Sequence, residues 1–177
     1  MSIREHHHRN DLAGEHRFGD AGQLILACLF FSIWIADTFI LQYSTFLNGI
    51  VPLGLRVPAG IILIVLAFYL SLTGLSIVFG KERIKPGVIR EGVFGRVRHP
   101  VYLGEILLYL GLLLFSISLV STVVWFAAIL FLHSISRYEE KLLLNRFGDE
   151  YKAYIREVPM WLPRILRMPA GRGGSFK

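Results

Sequence analysis

Residues 101–136 read VYLGEILLYLGLLLFSISLVSTVVWFAAILFLHSIS, and this stretch decides the fold. Apart from its tyrosines, its ionisable groups are Glu105 and His133. As one helix rising 1.5 Å per residue it would be roughly 54 Å long, against about 30 Å of bilayer hydrocarbon. A single crossing cannot use that length. Ser116, Ser118 and Ser121 cluster at its midpoint, where a tight turn divides it into two short spans, about 101–117 and 119–136. A helical hairpin is therefore expected, and one span with a re-entrant piece is the alternative.

Two more apolar blocks lie upstream, at about 23–43 and 57–79. Each approximates the ~20 residues that cross a bilayer. Between them Asn48, Gly49, Pro52 and Gly54 signal a turn. The chain has 177 residues and is 54% hydrophobic, with a mean hydropathy of +0.53. A soluble domain of that size has no interior large enough for so much apolar side chain. The reading is an all-α integral membrane protein with about four transmembrane helices, the third and fourth forming a tight hairpin, and a cytoplasmic amphipathic helix at the carboxyl end.

Charge supplies the orientation. Three Lys or Arg precede the first span, one (Arg56) lies in the first connection, six lie in 80–100, none in the hairpin turn and nine from Arg137 onward. Four spans place 18 of the 19 on one side, which the positive-inside rule makes cytoplasmic, with both termini there. Topology thus accounts for the net charge of +6, and no nucleic-acid partner is expected. The single cysteine, Cys28, permits no intrachain disulfide and reads as a small apolar filler. His6, His7, His8 and His16 lie in a polar segment, 1–20, that reads as a tail. No metal site is expected. The membrane domain is expected over 21–165, followed by a basic tail over 166–177.

The stretch from Arg137 to Val158 turns amphipathic, with Leu143, Phe147, Tyr151, Tyr154 and Val158 on one helical face. Gly148 can bend or break it. The helical region 137–165 is expected to lie at the membrane surface with Trp161 as an interfacial anchor.

Chemistry concentrates in residues 86–104, PGVIREGVFGRVRHPVYLG, where a loop over 80–100 runs into the third span. Pro100 suits the first turn of a helix, having no amide hydrogen to leave unpaired. That helix start presents backbone N–H groups and a positive dipole end to an anionic group. Gly92, Gly95 and Gly104 permit close backbone approach. Just past the fourth span stand Glu139 and Glu140. Adjacent helical carboxylates point about 100° apart, so one is expected to face the loop and the other water. The inward one is a natural partner for a ligand ammonium. Asp37, Glu105 and His133 fall inside apolar blocks, where ionisable residues face the protein interior. Asp37 and His133 read as interhelical hydrogen-bond partners, and Glu105 as a residue lining a pocket.

Arg98-His99-Pro100-Val101-Tyr102-Leu103-Gly104, then Glu139-Glu140, then Phe147-Gly148-Asp149-Glu150-Tyr151 and Val158-Pro159-Met160-Trp161-Leu162-Pro163 form an ordered series. It resembles the isoprenylcysteine carboxyl methyltransferase family, whose first two elements the phospholipid methyltransferases share. The resemblance covers about 84–165, and the first two spans carry no diagnostic motif. It implies a membrane enzyme using S-adenosylmethionine, with S-adenosylhomocysteine as product and a lipophilic small molecule or lipid as acceptor. Carried over by motif, the cofactor-binding candidates are Val88, Ile89, Phe94, His99, Pro100, Val101, Tyr102 and Glu139, with Glu140 beside it. Phe94 stands where many relatives have Tyr, and Met160 where Arg or Thr is frequent. A carboxylate nucleophile needs no general base but a cation to orient it, and Arg98 and Arg137 are the candidates. Glu105 joins them as a catalytic candidate through the pocket. Two other classes compete: an NADPH-dependent membrane reductase of the sterol reductase type, and a small transporter or scaffold with a polar path through Asp37, Glu105 and His133. The acceptor's identity and the oligomeric state stay open.

Overall fold

A computed structural model describes residues 17–80 and 87–163. The His-containing tail before residue 17, the loop segment 81–86 and the basic tail from 164 lie outside these residues. Among the described residues every regular element is helical. Helix α1 (Arg17–Ile35) runs on into a π-helical turn, Ala36–Leu41, and a 3-10 turn follows at Phe46–Gly49. Helix α2 is Leu53–Phe79, a second 3-10 turn is Gly92–Gly95, α3 is Pro100–Phe115 and α4 is Leu119–Glu157.

Three stretches, Ala21–Leu41, Leu53–Phe79 and Leu119–Glu157, are long and apolar enough to cross a membrane. Helix α3 is apolar but has only 16 residues, or roughly 24 Å. The four expected spans are thus three helices of crossing length and one short helix. The turn between α3 and α4 falls on the serine cluster: the Ser118 side chain caps α4 by accepting from the Ser121 amide at 3.1 Å.

A short helix inside a membrane must satisfy its last carbonyls locally, because no water reaches them. Arg56, 5% exposed, donates through Nη1 to the carbonyls of Leu114 and Phe115 at 3.3 and 3.1 Å and to Asn48 Oδ1 at 2.7 Å. Alongside, Asp37 accepts from the Tyr43 and Ser44 amides and, at 2.5 Å each, from the hydroxyls of Ser44 and Ser118. This ties the end of α1 to the hairpin turn, the interhelical role its position suggests.

Small residues let α2 and α3 approach closely. A Cβ added at Gly104 would stand 2.8 Å from the Ala67 carbonyl oxygen and 2.2 Å from Ser71 Oγ, and one at Gly111 would stand 3.0 Å from the Gly60 carbonyl oxygen. Gly104 therefore serves helix packing. The core on the other side of α3 stacks Phe30 on Tyr109, with ring centroids 4.2 Å apart, and adds Leu113 and Ala128. Much of the remaining apolar surface, including Leu24, Ile62 and Leu130, faces outward, as lipid contact requires.

The carboxyl-terminal region departs from expectation. It is no separate surface helix beginning at Arg137, because α4 continues through Ser136 without a break. Nothing between Ser136 and Phe147 interrupts helical backbone; the kink comes at Gly148, with φ 51° and ψ −121°. The apolar face of Leu143, Phe147, Tyr151, Tyr154 and Val158 packs on Val88 of the loop.

Candidate active site

Helix α3 starts at Pro100, where a missing N–H costs nothing, and His99 precedes it with extended-type φ of −123°. The loop that delivers His99 is pinned to the end of the chain. The amides of Arg98 and His99 donate to the carbonyls of Pro159 and Met160 at 3.0 and 3.3 Å. Arg90 donates to the Glu150 carbonyl at 2.8 Å, pairs with Glu157 at 3.1 Å and lies over the Tyr154 ring. Tyr154 in turn donates to the Phe94 carbonyl at 2.7 Å. Burial pushes the Tyr154 phenol well above its usual range, so it stays a donor at physiological pH.

At the junction, His99 sits between the two carboxylates. Its ring lies parallel to that of Tyr102, with centroids 5.6 Å apart and 6° between planes. Nδ1 is 3.6 Å from Glu139 Oε2 and Nε2 is 3.3 Å from Glu140 Oε1. Tyr102 donates to Glu139 Oε1 at 2.5 Å. Glu140 pairs with Arg98 Nε at 2.7 Å. Burial pushes the Glu140 carboxyl up, but hydrogen bonds from His99 and Arg98 and the Arg98 charge outweigh it and hold the group below the ordinary carboxylate value. The expectation that one of the pair faces water is corrected: both turn to the loop, because buried His99 and Arg98 lie on that side.

The candidates therefore separate. His99, Tyr102, Glu139 and Glu140 meet at one place, with buried Pro100 beneath them. Val88 packs on Tyr151, Tyr154 and Val158; Ile89 and Phe94 are half-buried in the same loop. Arg98 is not an open cation: Glu140 and the carbonyls of Ile155 and Val158 engage its guanidinium. Arg137 is mostly exposed, with Nη1 3.8 Å from Glu140. Glu105 points elsewhere, accepting from Tyr109 at 2.6 Å and Gln23 at 2.9 Å. It lines a groove of about 460 Å³ between α1, α2 and α3, shared with Val101, Phe31, Phe68 and Leu108. His133 was expected to bond between helices; it stands edge-on to the Trp161 ring instead. Sequence reasoning missed Arg90 and the Tyr154 hydroxyl as loop clamps. Helical periodicity marked Tyr154 only as an apolar-face residue, and nothing local marks a partner 60 residues away.

The phospholipid methyltransferase family matches this chain over residues 53–150, from the start of α2 to just past the kink in α4. The chain belongs to the phospholipid methyltransferase family. The match takes in all of α2, where the sequence offered no diagnostic motif. A protein-S-isoprenylcysteine O-methyltransferase of Schizosaccharomyces pombe is 27% identical over 144 residues, covering 80% of this chain and 58% of that protein. The chain thus spans little more than half the length of that relative. No solved structure matches it.

Proposed function

We propose that this protein transfers a methyl group from S-adenosylmethionine to a lipophilic acceptor at the cytoplasmic face of a membrane crossed by α1, α2, α3 and α4. The observation that carries this reading is the hydrogen bond from Tyr102 to Glu139 beside His99, which gathers cofactor candidates from two distant segments. The donor set fits the amino-acid end of the cofactor. Glu139, a partly open carboxylate with 15% side-chain exposure, takes an ammonium, and the first-turn amides of α3 take a carboxylate. The rings of Tyr102 and Phe94 offer surfaces for an adenine. Bound there, S-adenosylmethionine supplies an electrophilic methyl on a sulfonium. The chain's own task is to align the acceptor and exclude water.

The lysines and arginines support the topology, since four crossings place 18 of 19 on one side. Family membership and the isoprenylcysteine-modifying relative support a lipophilic acceptor. Calorimetric titration of the purified protein with S-adenosylhomocysteine and with NADPH tests the reading. Binding of S-adenosylhomocysteine alone is expected. Binding of NADPH alone would establish a reductase, and binding of neither a non-enzymatic membrane protein.

A further inference from the structure

Three buried polar side-chain atoms have no hydrogen-bond partner among the described residues: Nε1 of Trp34, Oγ of Ser136 and Nε1 of Trp161. Trp34 lies near the end of α1. The other two converge on one place. Ser136 stands one turn before Glu139 and Glu140, on the face of α4 that meets Tyr102 and His99. Trp161 follows Met160, whose carbonyl accepts from the His99 amide at 3.3 Å. Its ring is edge-on to His133, with centroids 5.7 Å apart. His133 is one turn before Ser136, and residues three apart on a helix have Cβ atoms about 5–6 Å from each other. Two donors without acceptors thus flank the carboxylate-bearing face of α4.

A buried indole N–H can only donate. A helical hydroxyl ordinarily closes on the carbonyl four residues back. In this same helix Ser134 does so on Leu130 and Thr122 on Ser118, each at 2.8 Å. Ser136 does not, although it is 0% exposed. Leaving such donors dry costs free energy that a ligand oxygen would recover.

Depth selects the ligand. Glu139 and the start of α3 suit the zwitterionic end of the methyl donor, whereas Ser136 lies one turn deeper, toward buried Leu132 and Ala128. The groove beside α1 already carries the Glu105 carboxylate, which disfavours an anion there. We propose that Ser136 and Trp161 form the oxygen-binding end of the acceptor site, donating to a carboxylate oxygen of a lipophilic acid. This rests on the methyl-transfer reading above. The acceptor's other oxygen attacks the methyl carbon; a C–O bond forms, the S–C bond breaks with its electron pair left on sulfur, and no proton moves.

The probes are N-acetyl-S-farnesylcysteine, its carboxyl-free analogue N-acetyl-S-farnesylcysteamine, and S-adenosylhomocysteine, titrated into wild type, Trp161→Phe and Ser136→Ala. Each variant is expected to weaken the acid three- to ten-fold and leave the other two ligands within two-fold. Ligand-free Ser136→Ala is expected to melt no lower than wild type, since it removes an unpartnered hydroxyl. Weaker S-adenosylhomocysteine binding with the acid unaffected would give these donors to the methyl donor and overturn the proposal. Equal losses for acid and analogue, or a lower Tm, would overturn it in favour of a structural role. Wild type that binds S-adenosylhomocysteine but prefers the acid no more than the analogue would sink this inference alone. Failure to bind S-adenosylhomocysteine at all would remove the reading beneath it.

Discussion

The hydroxyl of Tyr102, in the first turn of α3, donates to Glu139 on α4 across 2.5 Å. The bond holds an otherwise acceptor-only carboxylate in one rotamer beside the dipole end of a helix. An ammonium arriving there meets a group already aimed at it, and little side-chain entropy remains to be lost. Glu139→Gln removes the charge and is expected to weaken S-adenosylhomocysteine binding ten-fold or more, about 1.4 kcal/mol. Tyr102→Phe keeps the charge and is expected to cost less. Unchanged affinity in Glu139→Gln by calorimetry would remove Glu139 from the site.

Glu140 has a different task. Its partners are Arg98 and His99, all three are buried, and Arg98 continues to the carbonyls of Ile155 and Val158. Removing one member of a buried pair strands the other's charge, at a cost of about 3 kcal/mol. Glu140→Ala is accordingly expected to lower the Tm strongly, where Glu139→Gln lowers it little. Thermal unfolding in detergent compares the two, and equal losses would contradict the division of labour.

The same carboxylate sets an acid response. Its folded value lies below the ordinary 4.5, so the unfolded chain binds the proton more readily. The stability it contributes is complete above that ordinary value and is lost as pH falls through the lower, folded one. Wild type is expected to lose Tm more steeply than Glu140→Gln as pH drops below about 4.5. Parallel pH profiles for the two proteins would show that this group is not linked to folding.

Helix contact makes a third demand. A methyl group at Gly104 would press on the Ala67 backbone carbonyl, which cannot swing aside as a flexible side chain can. Gly104→Ala is expected to destabilise by about 1–3 kcal/mol, the usual range for overpacking. Gly54→Ala, where nothing lies within 4 Å of the added carbon, serves as its control and is expected to be nearly neutral. Equal melting temperatures for the two variants would argue against the close α2–α3 contact.

At the other end, Arg56→Ala strips the cap from the last carbonyls of α3. Unpaired carbonyls in an apolar medium cost several kcal/mol. The variant is expected to fold poorly or to melt far below wild type in a lipid nanodisc. Arg56→Lys is expected to recover part of the loss, because one ammonium reaches fewer acceptors than the guanidinium fork. Wild-type melting of Arg56→Ala would show that lipid headgroups or water satisfy these carbonyls.

By itself the sequence determined what depends on local composition. Block length and the serine cluster gave the hairpin break, since an apolar run beyond one bilayer thickness has to turn. Pro100 marked the start of α3, because a ring without an N–H belongs where that N–H has no partner. Gly148 marked the kink. Tertiary structure alone decided which side chains are spent on the fold and which are left for chemistry. Arg98 and Arg137 look alike as local sequence, yet one is buried in carbonyls and carboxylate while the other is mostly exposed. Glu139 and Glu140 are neighbours, yet only the latter carries a buried ion pair with Arg98. Such assignments depend on which backbone carbonyls arrive from residues about 60 positions away, and no periodicity in a linear chain encodes that arrival.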